Sequence, residues 1–204
     1  MPERYELGPS RSQGLVDVLD RILDKGLVIA GDIRIKLADV ELLTIQIRLL
    51  VCSVDKAAEI LLASGLTSAF ISAGSSSICA IGAPADQTSW RVEVSDPLDR
   101  SHRLDSIEIK DRSVSTSGCR EKTFESGGKT YCHIMDPRIG RPIEGLLSAT
   151  VITQSGVEAE ALSKALMVMG VEKAGDFLKT RPHVRALLYY KQPEGGLGCA
   201  RLNF

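Results

Sequence analysis

The chain has 204 residues, of which 44% are hydrophobic and 25% are charged, and its formal net charge is −1. This composition is ordinary for a globular protein with one medium domain, or with a small module beside a small domain. The near-zero charge and the aromatic content of 4% exclude a basic surface with a base-stacking platform, so no nucleic-acid partner is expected.

The first residues of the chain show no targeting pattern. Residues 1–11 are polar and contain Pro2, Gly8 and Pro9, so we predict a disordered lead-in without a secretory signal. The most apolar run, residues 45–50, is interrupted by Gln46 and Arg48 and is too short for a transmembrane segment.

The cysteines are few and widely spaced. There are five, with no CxxC pair: Cys52, Cys79, Cys119, Cys132 and Cys199. An odd, dispersed set argues against a disulfide framework and against a zinc site. The sequence therefore predicts a cytoplasmic protein with reduced thiols.

A helix, a hairpin and a second helix are predicted next. Apolar residues spaced three and four apart from Leu15 to Leu23 indicate a helix, with Ser12 placed to cap its start and Gly26 its end. The following β-branched runs predict a hairpin whose turn lies at one of two breaks, residues 30–32 or 38–39. A second helix is predicted from about residue 46 to the stop at Gly65.

Residues 14–54 closely resemble the gas-vesicle protein A/J family. The run V-L-D-R-I-L-D-K-G at 18–26 and the run V-E-L-L-T-I-Q-I-R at 40–48 carry the resemblance, and Ala30 and Asp32 are closer to the J-type component. A helix–hairpin–helix module of this size cannot bury its apolar faces alone, so it must associate with copies of itself or with gas-vesicle proteins. No residue of this segment suggests catalysis.

After Gly65 the pattern changes to short strands and turns with helices near the end, which predicts an α+β layer. Strands are expected at 67–73, 77–81, 90–94, 104–110, 112–116, 123–124, 131–134, 147–153 and 184–190. A helix is expected at 157–169, extended or followed by 174–178. The predicted domains are therefore 1–11, 12–54 and 55–204.

Two polar segments at strand ends are candidate phosphate sites. Gly74, Ser75 and Ser76 lie between two apolar strands, where free backbone N–H groups and hydroxyls suit a phosphate. Ser117 lies at the end of another strand and has the same chemistry. From the residues alone, plain connecting turns are the favoured interpretation of both segments.

From residue 54 to about 190 the chain resembles the ApbE-type FAD:protein FMN transferases, a T-fold-related family. The matching blocks are V-D-K-A-A-E (54–59), S-A-G-S-S-S (72–77), S-T-S-G (115–118), H-I-M-D-P-R-I-G-R-P (133–142) and E-A-L-S-K-A-L (160–166). The resemblance implies transfer of FMN from FAD to a Thr or Ser of an acceptor protein, assisted by Mg²⁺. It also implies FAD contacts at the two polar segments.

The block at 133–142 supplies the strongest candidate residues. His133 lies before a Pro/Gly-rich loop and is the candidate catalytic residue, either removing the acceptor hydroxyl proton or contacting the flavin. Asp136 either binds metal or caps its loop. Arg138 and Arg141 either face a pyrophosphate or are surface charges.

The resemblance implies that a helix near the C-terminus supplies two metal ligands one turn apart, at the positions of Glu160 and Lys164. Glu160 is a suitable Mg²⁺ ligand, whereas a protonated Lys164 is not, and a phosphate contact is its alternative role.

The family enzymes are larger, and of one N-terminal block only Val54 and Asp55 remain here. We therefore expect an uncovered apolar face and restricted transferase activity. The alternatives are a gas-vesicle structural protein with an inert tail and a poorly folded fusion.

Overall fold

The computed structural model describes residues 14–37, 40–74, 76–99, 101–119 and 123–204. The predicted lead-in at residues 1–11 and the helix cap at Ser12 lie outside this part of the chain. The chain forms two compact units, Met1–Ala57 and Ala58–Phe204.

The first unit is built from helix α1 (Leu15–Lys25) and the antiparallel strands β1 (Leu27–Leu37) and β2 (Val40–Val51). The Asp17 carboxylate accepts a hydrogen bond from the Gly14 backbone N–H at 3.1 Å, which satisfies a group at the helix start. No residue of α1 is buried. Its apolar stripe is therefore available to a partner.

Strand pairing corrects two predictions about this unit. Residues 30–32 do not form a turn, because they pair with β2 within the ladder, where Gly31 lies opposite Ile47. The predicted helix is wrong over residues 46–51, which complete β2, and helix α2 spans Val54–Ala63. The alternation of branched and polar residues ends at Arg48, so pairing with β1, and not the local pattern, decides that residues 46–51 form a strand.

The second unit is a mixed helix-and-sheet structure. Its elements are β3 (Ala69–Ala73), β4 (Ser77–Ile81), β5 (Trp90–Ser95), β6 (Arg103–Ile109), β7 (Arg112–Gly118), β8 (Thr123–Ser126), β9 (Lys129–Cys132), β10 (Met135–Asp136), β11 (Arg141–Pro142), β12 (Leu146–Thr153), α3 (Gly156–Lys179), β13 (Arg185–Lys191) and β14 (Leu197–Leu202).

Six of these strands form one antiparallel sheet in the order β14–β13–β12–β7–β4–β3. The strands β5–β6, β8–β9 and β10–β11 form separate two-stranded ribbons. The sequence did not predict β10, β11 or β14. The outermost strand, β14, contains Gly198 and follows a glycine-rich turn, so its composition lacks the β-branched signal of a strand.

Apolar clusters pack on both faces of the central sheet at β12. On β12, Val151 packs with Leu166 and Met167 of α3 in one apolar cluster. Its neighbour Ile152 packs in a second cluster with Ile107 and other residues of the β5–β6 ribbon. Because successive strand residues point to opposite faces, α3 and the ribbon lie on opposite sides of the sheet.

Helix α3 begins at a cap and is interrupted once. The Ser155 hydroxyl accepts the Glu158 backbone N–H at 3.3 Å. Gly170, with φ 78° and ψ 170°, breaks the helix, so of the two predicted possibilities residues 174–178 follow the first segment after a break. Within the described residues, no helix combines the length and hydrophobicity that a membrane crossing requires.

The structure corrects the prediction of reduced thiols for one pair of cysteines. Cys119, at the end of β7, forms a disulfide with Cys132, at the end of β9, with the two Cα atoms 4.8 Å apart. The β8–β9 ribbon brings the chain back beside the end of β7. The separation of 13 residues in the sequence does not by itself predict this proximity. Cys52, Cys79 and Cys199 form no disulfide.

Candidate functional site

Strand register and helix spacing bring six polar residues together between the sheet and α3. Ser115 and Ser117 are two apart on β7, and Ser115 pairs with Ser77 of β4, so all three side chains face the helix. On α3, residues three and four apart share one face. The six residues, here named the Glu160 cluster, are Ser77, Ser115, Ser117, Glu160, Ser163 and Lys164.

Every side-chain oxygen at the centre of this cluster has a partner. Glu160 Oε2 accepts hydrogen bonds from Ser77 Oγ at 3.0 Å and from Ser115 Oγ at 2.5 Å. Glu160 Oε1 forms an ion pair with the Lys164 ammonium. Ser163 Oγ donates to the Glu160 backbone carbonyl at 3.0 Å and lies 2.8 Å from Ser117 Oγ. The carboxylate is therefore anchored from both the sheet and its own helix.

The cluster is buried at its base and open at its charged end. Ser115 and Ser163 are 1% and 0% exposed, whereas the Glu160 and Lys164 side chains are 44% and 54% exposed. Burial raises the pKa of Glu160, but hydrogen bonds from Lys164, Ser115 and Ser77 outweigh it and hold that pKa below its ordinary value. At neutral pH the site is an exposed carboxylate–ammonium pair on a floor of hydroxyl groups.

These donors do not fit the Mg²⁺ site that the resemblance implies. Mg²⁺ requires near-octahedral oxygen ligands, yet both Glu160 oxygens are already engaged and an ammonium occupies one of them. Within the described ranges, no three His, Cys, Asp or Glu side chains are grouped to hold a metal.

The predicted 74–77 loop adjoins this cluster. Gly74 has φ +68°, and a Cβ added there would meet open space. The Ser72 hydroxyl donates to the Gly74 carbonyl at 2.8 Å, and the Ser76 carbonyl accepts the Thr116 N–H at 2.8 Å. Ser75 lies outside the described residues. The loop thus ends at Ser77, which contacts Glu160 directly.

The second group of candidate residues organises the loop between β10 and β11. The buried Asp136 carboxylate accepts three side-chain hydrogen bonds from Arg138, from Nε to Oδ1 at 2.9 Å and to Oδ2 at 3.2 Å, and from Nη2 to Oδ2 at 2.6 Å. The hydrogen bond from the Arg138 side chain is the largest cause that lowers the pKa of Asp136 to about 2. Of the two roles left open by the sequence, this geometry suits loop capping.

Arg138 also connects this loop to the break in α3. Its Nη2 donates to the Val168 carbonyl at 3.1 Å. The break at Gly170 leaves carbonyls of the preceding turn without helical partners, and Arg138 satisfies one of them. A pocket of about 660 Å³ lies between the loop and the break, with Asp136 and Arg141 in its wall. The sequence pattern did not predict this pocket.

The structure does not bring all predicted site residues together. His133 lies exposed between β9 and β10, directly after the disulfide-bonded Cys132. Neither His133 nor Glu160 lines the pocket. Sequence reasoning also missed Ser77, Ser115 and Ser163 as partners of Glu160; the i, i+2 spacing on β7 and the i, i+3 spacing on α3 are the signals that could have found them.

Comparisons with known proteins match two parts of the chain to two different families. The model of the ApbE family matches residues 52–188, and that of the gas vesicle protein family matches residues 14–52. An FAD:protein FMN transferase of Salmonella typhimurium is 33% identical over 143 residues, which cover 69% of this chain and 40% of the relative. A gas vesicle protein J of Priestia megaterium is 70% identical over 50 residues, covering 24% of this chain and 50% of the relative.

Solved structures give the same result for the second unit. The ApbE protein of Thermotoga maritima has a TM-score of 0.63 and 30% identity, covering 72% of this chain and 47% of that one. The apo flavinyl transferase ApbE of Pseudomonas stutzeri has a TM-score of 0.60 and 31% identity, covering 73% and 45%. The chain spans less than half the length of these transferases. It belongs to the ApbE family and carries a gas-vesicle segment before its ApbE domain.

Proposed function

We propose that the second unit takes part in flavinyl transfer from FAD to a Thr or Ser of an acceptor protein. The observation that supports it is the Glu160 cluster, in which three segments of the family pattern converge: the 74–77 loop, β7 and α3. The relative from Salmonella typhimurium is named an FAD:protein FMN transferase, and this chain spans 40% of its length.

The reaction requires one phosphorus–oxygen exchange. The acceptor hydroxyl oxygen attacks the phosphorus of the FMN half of FAD, a new phosphoester bond forms, and the pyrophosphate bond to AMP breaks. AMP leaves with the electron pair of that bond, and the hydroxyl proton passes to a base. We assign the base role to His133, because its exposed position between β9 and β10 is accessible to a protein substrate.

The remaining candidates are assigned either to binding the flavin nucleotide or to holding the loop beside it in shape. Gly74, Ser75, Ser76 and Ser117 would present N–H groups and hydroxyls to its phosphates. Asp136 and Arg138 would hold the neighbouring loop in shape through their ion pair. The Mg²⁺ that the resemblance implies enters no step here, because the Glu160 cluster does not offer its ligands.

A gas-vesicle role is the second candidate function, and the front segment favours it. The α1 residues Leu15 and Val16 are 74% and 68% exposed, which suits association with copies of itself or with vesicle proteins. In this proposal residues 12–54 supply α1 and the β1–β2 hairpin to a module that acts in the cytoplasm, after a lead-in at 1–11. Residues 55–204 are then a T-fold-related layer that is either active or an inert tail.

Intact-mass analysis of a threonine acceptor domain, incubated with the purified full chain and FAD, tests the flavinyl transfer. We expect a mass gain of one FMN that is lost in His133→Asn and Glu160→Gln. No gain beside a full-length family enzyme that is active in parallel would refute transferase activity. Recovery of the chain with isolated gas vesicles would then support the second candidate.

A further inference from the structure

The Glu160 carboxylate already holds a cation, and that cation belongs to the protein. Oε1 is paired with the Lys164 ammonium, while Oε2 accepts from the Ser77 and Ser115 hydroxyls. The two charged residues are one helical turn apart, in the order that favours an i, i+4 pair, with the acid N-terminal to the base. The pair therefore needs no outside ion to balance the carboxylate.

A divalent cation at Glu160 would have to displace this arrangement. It would meet the Lys164 ammonium at the same oxygen, and like charges at that distance repel. On the other side, the buried Ser115 hydroxyl would lose the 2.5 Å hydrogen bond to its charged acceptor and keep only the longer contact of 3.4 Å to Ser163 Oγ. Both costs arise from residues of this chain and disfavour a bound metal.

The ammonium also retains hydrogen-bonding capacity toward solvent. An ammonium carries three donor positions, and the Lys164 side chain is 54% exposed while its ion pair holds it in place. Ser77 contacts the same carboxylate through its hydroxyl, so it lies beside the ammonium. A phosphate at this position would meet a point charge next to the Ser77 hydroxyl.

We propose that Lys164 is the resident cation of this site and binds a phosphate of the flavin nucleotide without a divalent metal. This inference rests on the proposed function for the identity of the ligand. Its metal-exclusion part rests on the Glu160 contacts alone.

Two titrations test it on the full chain. Mn²⁺ binding, followed by electron paramagnetic resonance, should show no saturable site in the unaltered protein and one site in Lys164→Thr, which frees the carboxylate and adds an oxygen. The control Lys164→Met keeps the chain length without an oxygen ligand and should bind Mn²⁺ more weakly than Lys164→Thr. Circular dichroism checks that both variants are folded.

Flavin binding forms the second titration, with riboflavin as the probe that lacks phosphate. FAD affinity should be unchanged by EDTA and should fall roughly 10- to 100-fold in Lys164→Met, the effect of one charge-assisted hydrogen bond. Riboflavin affinity should stay constant. Saturable Mn²⁺ binding by the unaltered chain, lost in Glu160→Gln, would overturn the inference, as would equal losses for both flavins. Failure of every variant to bind either flavin would instead overturn the proposed function, while the Mn²⁺ result still stands on its own.

Discussion

Two buried serines on β7 offer a matched test of the Glu160 cluster. Ser113 and Ser115 are two residues apart on the same face, and they are 0% and 1% exposed. Ser115 donates to Glu160 at 2.5 Å, whereas the Ser113 hydroxyl finds no hydrogen-bond partner in the described part of the chain. The substitutions Ser115→Ala and Ser113→Ala therefore remove the same atom from similar surroundings but break a hydrogen bond in only one case.

The expected changes in the free energy of unfolding differ in size and in sign between the two variants. A hydrogen bond to a charged group contributes about 1.5–3 kcal/mol. Because Glu160 is partly exposed, we expect the lower end for Ser115→Ala, about 1.5 kcal/mol. Removing an unsatisfied buried hydroxyl eliminates its desolvation cost, so Ser113→Ala should be neutral or slightly stabilising.

The difference should also depend on pH. The folded-state pKa of Glu160 is lowered, so its stabilising effect is present above the unfolded-state pKa and is lost as pH falls through the folded-state pKa. Ser115→Ala removes one cause of that lowering. The gap in stability between Ser115→Ala and the unaltered chain should be greatest near neutral pH and should shrink in acid.

Urea denaturation of both variants at neutral and acidic pH measures these effects as changes in midpoint at constant m-value. Equal destabilisation by Ser113→Ala and Ser115→Ala would refute the reasoning, because it would assign the cost to packing and not to the carboxylate. A Ser115→Ala cost that grows in acid would also contradict it.

Two further predictions concern the disulfide and the helix break. Cys119→Ser should lower the free energy of unfolding by about 3 kcal/mol, the loop-closure entropy of so short a loop, while Cys199→Ser, which alters a free exposed thiol, should change little. Reductant should remove the difference in the free energy of unfolding between the two variants. A difference that persists in reductant would rule out the disulfide as its cause. Gly170→Ala should cost about 1–3 kcal/mol because its backbone conformation is accessible almost only to glycine. Thermal unfolding measures this cost. In the same experiment the control Gly175→Ala, where an added Cβ makes only an ordinary van der Waals contact, should be neutral or stabilising.

The sequence predicted the strands with a strong local pattern and failed where distant pairing decides the structure. Strands β5 and β12 were found because their branched residues stand between clear turns. Residues 46–51 were assigned to a helix, since only the ladder with β1 determines their state. The same reason accounts for β14, which forms because β13 offers a free edge.

The sequence pattern identified residues of the candidate site but not the contacts between them. Glu160 and Lys164 were identified by the family pattern, but their mutual ion pair depends on rotamers that no sequence motif contains. Ser115 became a partner of Glu160 only through the register of β7 against β4 and the packing of α3 above them. The Cys119–Cys132 bond likewise requires the β8–β9 ribbon to bring the two residues together.

Helix α3 accounts for the position of both candidate regions. Its first segment places Glu160 over the serines of β4 and β7, and the same segment ends at Gly170 beside the Asp136 loop. Leu166, which is 0% exposed, anchors that segment on the sheet between the two regions. Because one helical segment carries both, a displacement of that segment on the sheet would change the position of Lys164 and the Arg138 contact to Val168 together.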